Sequence, residues 1–294
     1  MSSMINRTHF ILRQSPCLLS FNYINIHAII CSFVSMNHNK LPIGLFDSGV
    51  GGLTIWNEIN HLLPNESTIY LADSKNAPYG MKTPEEILHL SIKNVEVLLS
   101  IGVKLIVIAC NTATTNAVAE LRRMYKIPII GLEPALKPAA LHSQTKKIGV
   151  LATQGTLASS KFREAIKKYQ GVIFYEQAGF QLVQLIEKGH IESLEMHTLL
   201  KKYLQPMIDK GIDQLVLGCT HYPFLKDQIR EILPPSIEII DSGIAVAKRV
   251  QQVLDENQLH NDGPEKFHTF YINTDTRVMS TLLDNKFTVK YKEF

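Results

Sequence analysis

From Leu41 onward the chain alternates short apolar runs with longer segments whose apolar positions recur at helical spacing. The runs Ile43–Phe46, Thr68–Ala72, Leu105–Ala109, Ile129–Gly131, Ile148–Leu151, Val172–Tyr175, Gln214–Gly218, Ile237–Ile240 and Phe267–Ile272 predict strands. Pro84–Ile101, Thr115–Tyr125, Ser160–Tyr169, Met196–Lys210 and Ile244–Leu254 predict helices. Continuous apolar strands separated by helices point to parallel sheets covered on both faces. Thr83 followed by Pro84 marks a capped helix start with proline in the first turn.

The pattern is doubled. Gly102-Val103-Lys104-Leu105-Ile106-Val107-Ile108-Ala109-Cys110-Asn111-Thr112 reads almost as a copy of Gly211-Ile212-Asp213-Gln214-Leu215-Val216-Leu217-Gly218-Cys219-Thr220-His221, with a glycine eight positions before each cysteine. Pro42–Phe46 matches Lys147–Leu151. Tyr70 lies 26 residues past Gly44, and Phe174 lies 25 past Gly149. Ile130 follows Cys110 by 20 residues, and Ile240 follows Cys219 by 21. Strand–helix periods recur in any α/β protein, but they do not require matched cysteines. The expected fold class is therefore α/β, with two pseudo-symmetric domains. Each has a mostly parallel sheet flanked by helices, and the active site lies in the interdomain cleft. The chain crosses between halves near Pro134–Pro138 and returns near Gly243. This gives a first domain of residues 41–134 plus 243–294 and a second of residues 135–242.

Composition changes this picture mainly at the amino end. Hydrophobic residues make up 45% and charged residues 19% of 294, as expected of a chain with a substantial core. Three of the 30 basic residues, Arg7, Arg13 and Lys40, lie in the first forty positions, which hold no acid; the remaining 27 match the 27 acids. The body is neutral and offers no electrostatic reason to expect nucleic acid. Cys17–Ser35 is apolar but interrupted by Asn22, Asn25 and His27, which makes membrane spanning costly. Residues 1–40 are expected to be an extension that is disordered or mis-assigned, with Met36 as the true start. Four cysteines without a CxxC pair make no disulfide framework, and a reducing cytoplasm would keep Cys110 and Cys219 as thiols.

Two thiols at equivalent strand ends suit the inversion of a carbon centre. An amino-acid Cα–H is a very weak acid, so inversion needs a base on one face, an acid on the other and stabilisation of the carbanion. A thiol serves either role, since its free pKa of about 8.5 responds to its surroundings. Each cysteine is expected just before a helix start, where free N–H groups favour a thiolate and a substrate carboxylate. Taken singly, Cys110 and Cys219 would read as buried, inert thiols; their pairing argues otherwise. Cys219-Thr220-His221 lacks the usual zinc spacing, so no metal is expected. The loop Asp47–Thr54 follows the first strand but matches neither the dinucleotide fingerprint nor the phosphate loop. It predicts a backbone cradle for a small anion, with Asp47 and Ser48 facing the cleft. In Asp73–Gly80, Tyr79 is placed to close over a ligand. His221 is a proton-handling group two residues from Cys219.

The phrases GLFDSGVGGLT, LADSKNAPYG, IACNTAT and LGCTHYPFL, in this order, resemble the cofactor-independent glutamate racemases of the aspartate/glutamate racemase superfamily, over residues 41 to about 270. The resemblance implies that Cys110 takes the proton from D-glutamate and Cys219 takes it from L-glutamate, with no cofactor. It implies substrate contacts at Asp47, Ser48, Tyr79, Gly80, Asn111, Thr112, Thr220 and His221. It implies assisting acids at Asp47, Asp73 and, in a looser context, Glu187. It also implies a bacterial cytoplasmic enzyme supplying D-glutamate for peptidoglycan. Some members are homodimers, some need a cell-wall precursor as activator and some bind DNA gyrase; no feature of this sequence selects among these partners. The first forty residues depart from the family pattern. An aspartate or hydantoin racemase shares the paired thiols, although the DSGVGGLT, PYG and CTHYP set favours glutamate. A binding protein retaining the fold predicts no loss of function on removing Cys110. A pyridoxal-phosphate enzyme would leave the doubled cysteines unexplained.

Overall fold

The computed structural model describes residues 38–294. The proposed extension and its Met36 start, with Cys17 and Cys31, lie outside them, save for its last three residues. Strands β1 (Ile43–Asp47), β2 (Thr68–Ala72), β3 (Leu105–Ile108), β4 (Ile129–Gly131), β9 (His268–Ile272) and β10 (Val289–Tyr291) form a sheet in the order β10-β9-β2-β1-β3-β4. Strands β5 (Lys147–Ala152), β6 (Ile173–Ala178), β7 (Gln214–Gly218) and β8 (Glu238–Ile240) form another in the order β6-β5-β7-β8. Every pairing among these strands is parallel. The order β2-β1-β3-β4 in the first sheet repeats as β6-β5-β7-β8 in the second, the topology expected of a doubled unit.

The helices are α1 (Leu53–Leu62), α2 (Pro84–Ile101), α3 (Asn111–Met124), α4 (Leu136–His142), α5 (Gln154–Ala158), α6 (Ser160–Lys167), α7 (Leu182–Glu187), α8 (Leu194–Asp209), α9 (Lys226–Ile232), α10 (Gly243–Asn257) and α11 (Arg277–Leu282). Helix α2 has the expected bounds. The Thr83 hydroxyl accepts from Glu86 N–H at 3.2 Å, and Glu86 accepts from Thr83 N–H at 2.8 Å, closing a capping box. Helix α10 returns to pack against α1, tying the end of the second sheet's segment to the first sheet. Among the described residues no helix is long and apolar enough to cross a membrane.

Three differences from the sequence-based expectations have physical reasons. Helix α3 starts at Asn111 rather than Thr115, because Cys110 itself caps it: the thiol sulfur accepts from Ala113 N–H at 3.5 Å. No α-helix starts directly after Cys219. The chain instead makes a 3-10 turn over Tyr222–Leu225 before α9. This tighter turn lets His221 face Glu187 while the buried Tyr222 donates its hydroxyl to the Gly179 carbonyl at 3.1 Å. The expected helix N-terminus at a thiol therefore holds for Cys110 and not for Cys219. Strand β10 was not anticipated; its three residues, with two of them exposed, carry too little alternation to stand out.

The edge of the first sheet opposite the site is held by a buried ion pair. Lys104 Nζ lies 2.6 Å from Glu66 Oε2, with the side chains 0% and 3% exposed. Lys104 also donates to the Asn39 carbonyl at 2.7 Å, and Glu66 accepts from Asn261 N–H at 2.9 Å. The segments leading into β1, β2, β3 and β9 are thus tied at one point. Removing one partner leaves an unpaired buried charge. Lys104→Met is expected to cost about 3–5 kcal/mol in urea unfolding, and adding Glu66→Leu should recover most of it.

Candidate active site

Parallel strands deliver their following loops to one edge of a sheet. The loops after β1, β2, β3, β5 and β7 meet around one small cavity with about 240 Å³ of atom-free space. Cys110 and Cys219 both line it, as do Ser48, Tyr79, Gly80, Asn111, Thr112, Thr220 and His221 from the sequence analysis. Pro78, Thr153 and Val183 complete the wall. Asp47, Asp73 and Glu187 do not line it; each sits behind it and holds a residue that does.

The two thiols have different neighbours. Cys110 is buried, with its sulfur 3.6 Å from the Ser48 hydroxyl and 3.5 Å from Ala113 N–H. Burial pushes its thiol well above the usual range and the Asp47 charge adds to this, while the Ala113 amide and Ser48 hydroxyl pull the other way. Cys219 Sγ lies 3.8 Å from His221 Nδ1, and His221 Nε2 lies 2.6 Å from Glu187 Oε1. Burial alone would strip the imidazole of its charge, but the contacts with Cys219 and Glu187 outweigh it and hold His221 well above its usual range.

The glycine-rich loop after β1 is an anion cradle, and the anions it holds are the chain's own carboxylates. Asp47 turns back onto the loop, accepting from Ser48 N–H and Gly52 N–H, each at 2.7 Å. Burial raises the Asp47 carboxyl above its usual value, against the opposing pull of His221. Val50 N–H donates to Glu187 Oε1 at 2.7 Å. A Cβ on Gly49 would lie 1.9 Å from that oxygen, and a Cβ on Gly51 would lie 2.2 Å from His221 Nδ1. Absent side chains at these two positions are what let Glu187 and His221 approach.

In the loop after β2, Asp73 Oδ2 accepts from the Tyr79 hydroxyl at 2.5 Å. Its Oδ1 accepts from Asn76 at 2.8 Å and from Asn273 at 2.6 Å. Burial, reinforced by Asp73, pushes the Tyr79 phenol well above its usual range, so it remains a donor. Asn111 Nδ2 is buried without a partner among the described residues, an unspent donor in a side chain that lines the cavity. Thr112 and Thr153 share a hydrogen bond of 2.8 Å across it. Thr153 escaped the sequence analysis, although the duplication carries the signal. Aligning Gly44 with Gly149 sets Thr153 where Ser48 stands. Among the described residues no group of three or more His, Cys, Asp or Glu side chains is placed to hold a metal ion.

Residues 51–250 match the family model of Asp/Glu/Hydantoin racemases. A glutamate racemase of Ectopseudomonas mendocina is 43% identical over 250 residues, covering 84% of this chain and 95% of its own. This chain belongs to the glutamate racemase family. It is an enzyme of that class. The crystal structure of the Francisella tularensis glutamate racemase in complex with D-glutamate superposes with a TM-score of 0.76 at 31% identity, covering 87% of this chain and 98% of that one. The Escherichia coli glutamate racemase, in complex with L-glutamate and the activator UDP-MurNAc-ala, gives a TM-score of 0.76 at 30% identity over 85% and 98% of the two chains.

Within this racemase-family site the glycine clearance is directly testable. Gly51→Ala is expected to displace the His221 ring and lower kcat by roughly 10²-fold, the scale of a misplacement of about 1 Å. Circular dichroism should show the fold retained. A fully active Gly51→Ala enzyme would contradict the packing described.

Proposed function

We propose that this chain interconverts L- and D-glutamate by proton transfer between two thiols, Cys219 and Cys110, without a bound cofactor. The observation that carries this is the meeting of both strand-end cysteines at one cavity. Relatives of the same fold hold D-glutamate in one case and L-glutamate in another, which supports glutamate as the substrate of either hand.

The electrostatics support a specific assignment. Cys110 is pushed toward the protonated thiol. Cys219 has as its neighbour His221, whose imidazole is held toward its charged form. With L-glutamate bound, the Cys219 thiolate takes the α-proton, the electron pair passes to the α-carbon and its carboxylate, and the Cys110 S–H delivers a proton to the opposite face. The product is D-glutamate, with the proton moved from Cys110 to Cys219; D-glutamate runs the same steps backward. Asn111, Ser48, Thr112, Thr220 and the backbone around Gly80 are the donors for the two substrate carboxylates, and Tyr79, its hydroxyl donated to Asp73, closes the wall beside them. Glu187 and His221 serve Cys219, Asp47 orders the loop beside Cys110, and Asp73 holds Tyr79. The sheet-centred halves, residues 41–134 with 243–294 and residues 135–242, are the domains that close on the substrate. We place the reaction in a bacterial cytoplasm, where the thiols stay reduced and D-glutamate feeds peptidoglycan synthesis.

Circular dichroism of L-glutamate with purified protein and no added cofactor should show decay toward the racemate; faster turnover of aspartate would overturn the substrate. Cys110→Ser and Cys219→Ser are each expected to lower racemisation by about 10²–10⁴-fold, the scale of a lost general acid or base. Full activity in both variants would exclude the two-thiol scheme.

A further inference from the structure

One side chain outside the cavity wall completes the Cys219 side of the site. Glu187 ends α7, and its carboxylate meets three donors. Oε1 lies 2.6 Å from His221 Nε2 and 2.7 Å from Val50 N–H, and Oε2 accepts from the Ser74 hydroxyl at 2.6 Å. Two of these donors, Val50 and Ser74, come from loops of the first sheet, whereas Glu187 comes from a helix between strands of the second. Among the described residues, only Ser74 donates to the oxygen that faces away from His221.

We propose that Ser74 is a positioning residue for the reaction: its hydroxyl fixes the second oxygen of Glu187, which keeps the first on His221 and His221 against Cys219. A carboxylate with one oxygen released is free to turn about its terminal torsion, and α7 leaves Glu187 partly open to solvent, so the His221 contact depends on both ends being held. A hydrogen bond to a charged group is among the stronger kind, so losing it matters more than losing a neutral one. Because Ser74 and Val50 reach Glu187 from the first sheet, the Glu187 contact that favours charge on the imidazole joins loops of both sheets.

The groups around the imidazole fix the sign of the pH effect. They are Cys219 on its own segment, Glu187 from α7 and Asp47 from the end of β1. Glu187 favours the cation, which is present at low pH and lost as pH rises through the raised value. Loosening Glu187 therefore brings this loss to lower pH.

The inference rests on the two-thiol function for its kinetic arm and stands apart from it in its spectroscopic arm. In Ser74→Ala, kcat is expected to fall about tenfold with a smaller change in KM, and the alkaline limb of the kcat profile should move to lower pH. Ser74→Thr, which keeps the hydroxyl, should restore both. Because the equilibrium constant of a racemisation is one, kcat/KM must fall equally from L- and D-glutamate, which checks the data internally. NMR titration of the His221 ring should show the same downward movement in Ser74→Ala, with or without turnover. An unmoved His221 titration in a folded Ser74→Ala protein, or a Ser74→Thr enzyme as impaired as Ser74→Ala, would overturn the role of the hydroxyl. A wild type without racemase activity would instead overturn the function and leave the NMR result to judge Ser74.

Discussion

The carboxylate of Glu187 is the contact on which the site's assembly depends. A carboxylate removed from most of its water must find donors, and here they come from the loop after β1, the loop after β2 and the segment after β7. Those three segments carry Ser48, Tyr79 and Cys219 to the cavity wall. Satisfying one acid thus sets the relative placement of loops from both sheets. Gly49 and Gly51 make the approach possible, so the glycine-rich loop is explained by contacts within the chain before any substrate is considered.

The doubled architecture supplies two equivalent thiols, and the surroundings make them unequal. Cys110 caps a helix and sits in an apolar cluster with Phe46, Ile106 and Ile108. Cys219 leads into a 3-10 turn and faces an imidazole that the partly buried Glu187 holds in place. A helix start meets one sulfur and an imidazole the other. The repeated strand order accounts for where the sulfurs are; the different segments after them account for their different neighbours.

Strand positions were largely legible because fully buried parallel strands read as unbroken apolar runs. Thr68–Ala72 and Gln214–Gly218 are buried at every position. The cavity wall was legible where short polar phrases follow such runs, as at Cys110-Asn111-Thr112 and Cys219-Thr220-His221. What could not be read depends on distant pairing. Asn273, which holds Asp73, lies 200 residues away in sequence, and Ser74, which holds Glu187, lies 113 away. Neither sits in a local pattern that signals its partner. The helix expected after Cys219 failed for a similar reason. The local polar residues suit a cap, but the anchoring of His221 on Glu187 and of Tyr222 on Gly179 favours the tighter turn.

The small volume between the two sulfurs has a kinetic corollary. On the two-thiol scheme, each inversion leaves the sulfurs in the protonation pattern suited to the mirror-image molecule, so the protein retains a one-proton record of its last substrate. The cavity the sulfurs share, with about 240 Å³ of atom-free space, leaves little room beside a bound substrate for solvent to erase that record. Resetting the sulfurs is then tied to the opening that releases product, and an enzyme flooded with one enantiomer would be paced by the return of water as much as by the breaking of a carbon–hydrogen bond.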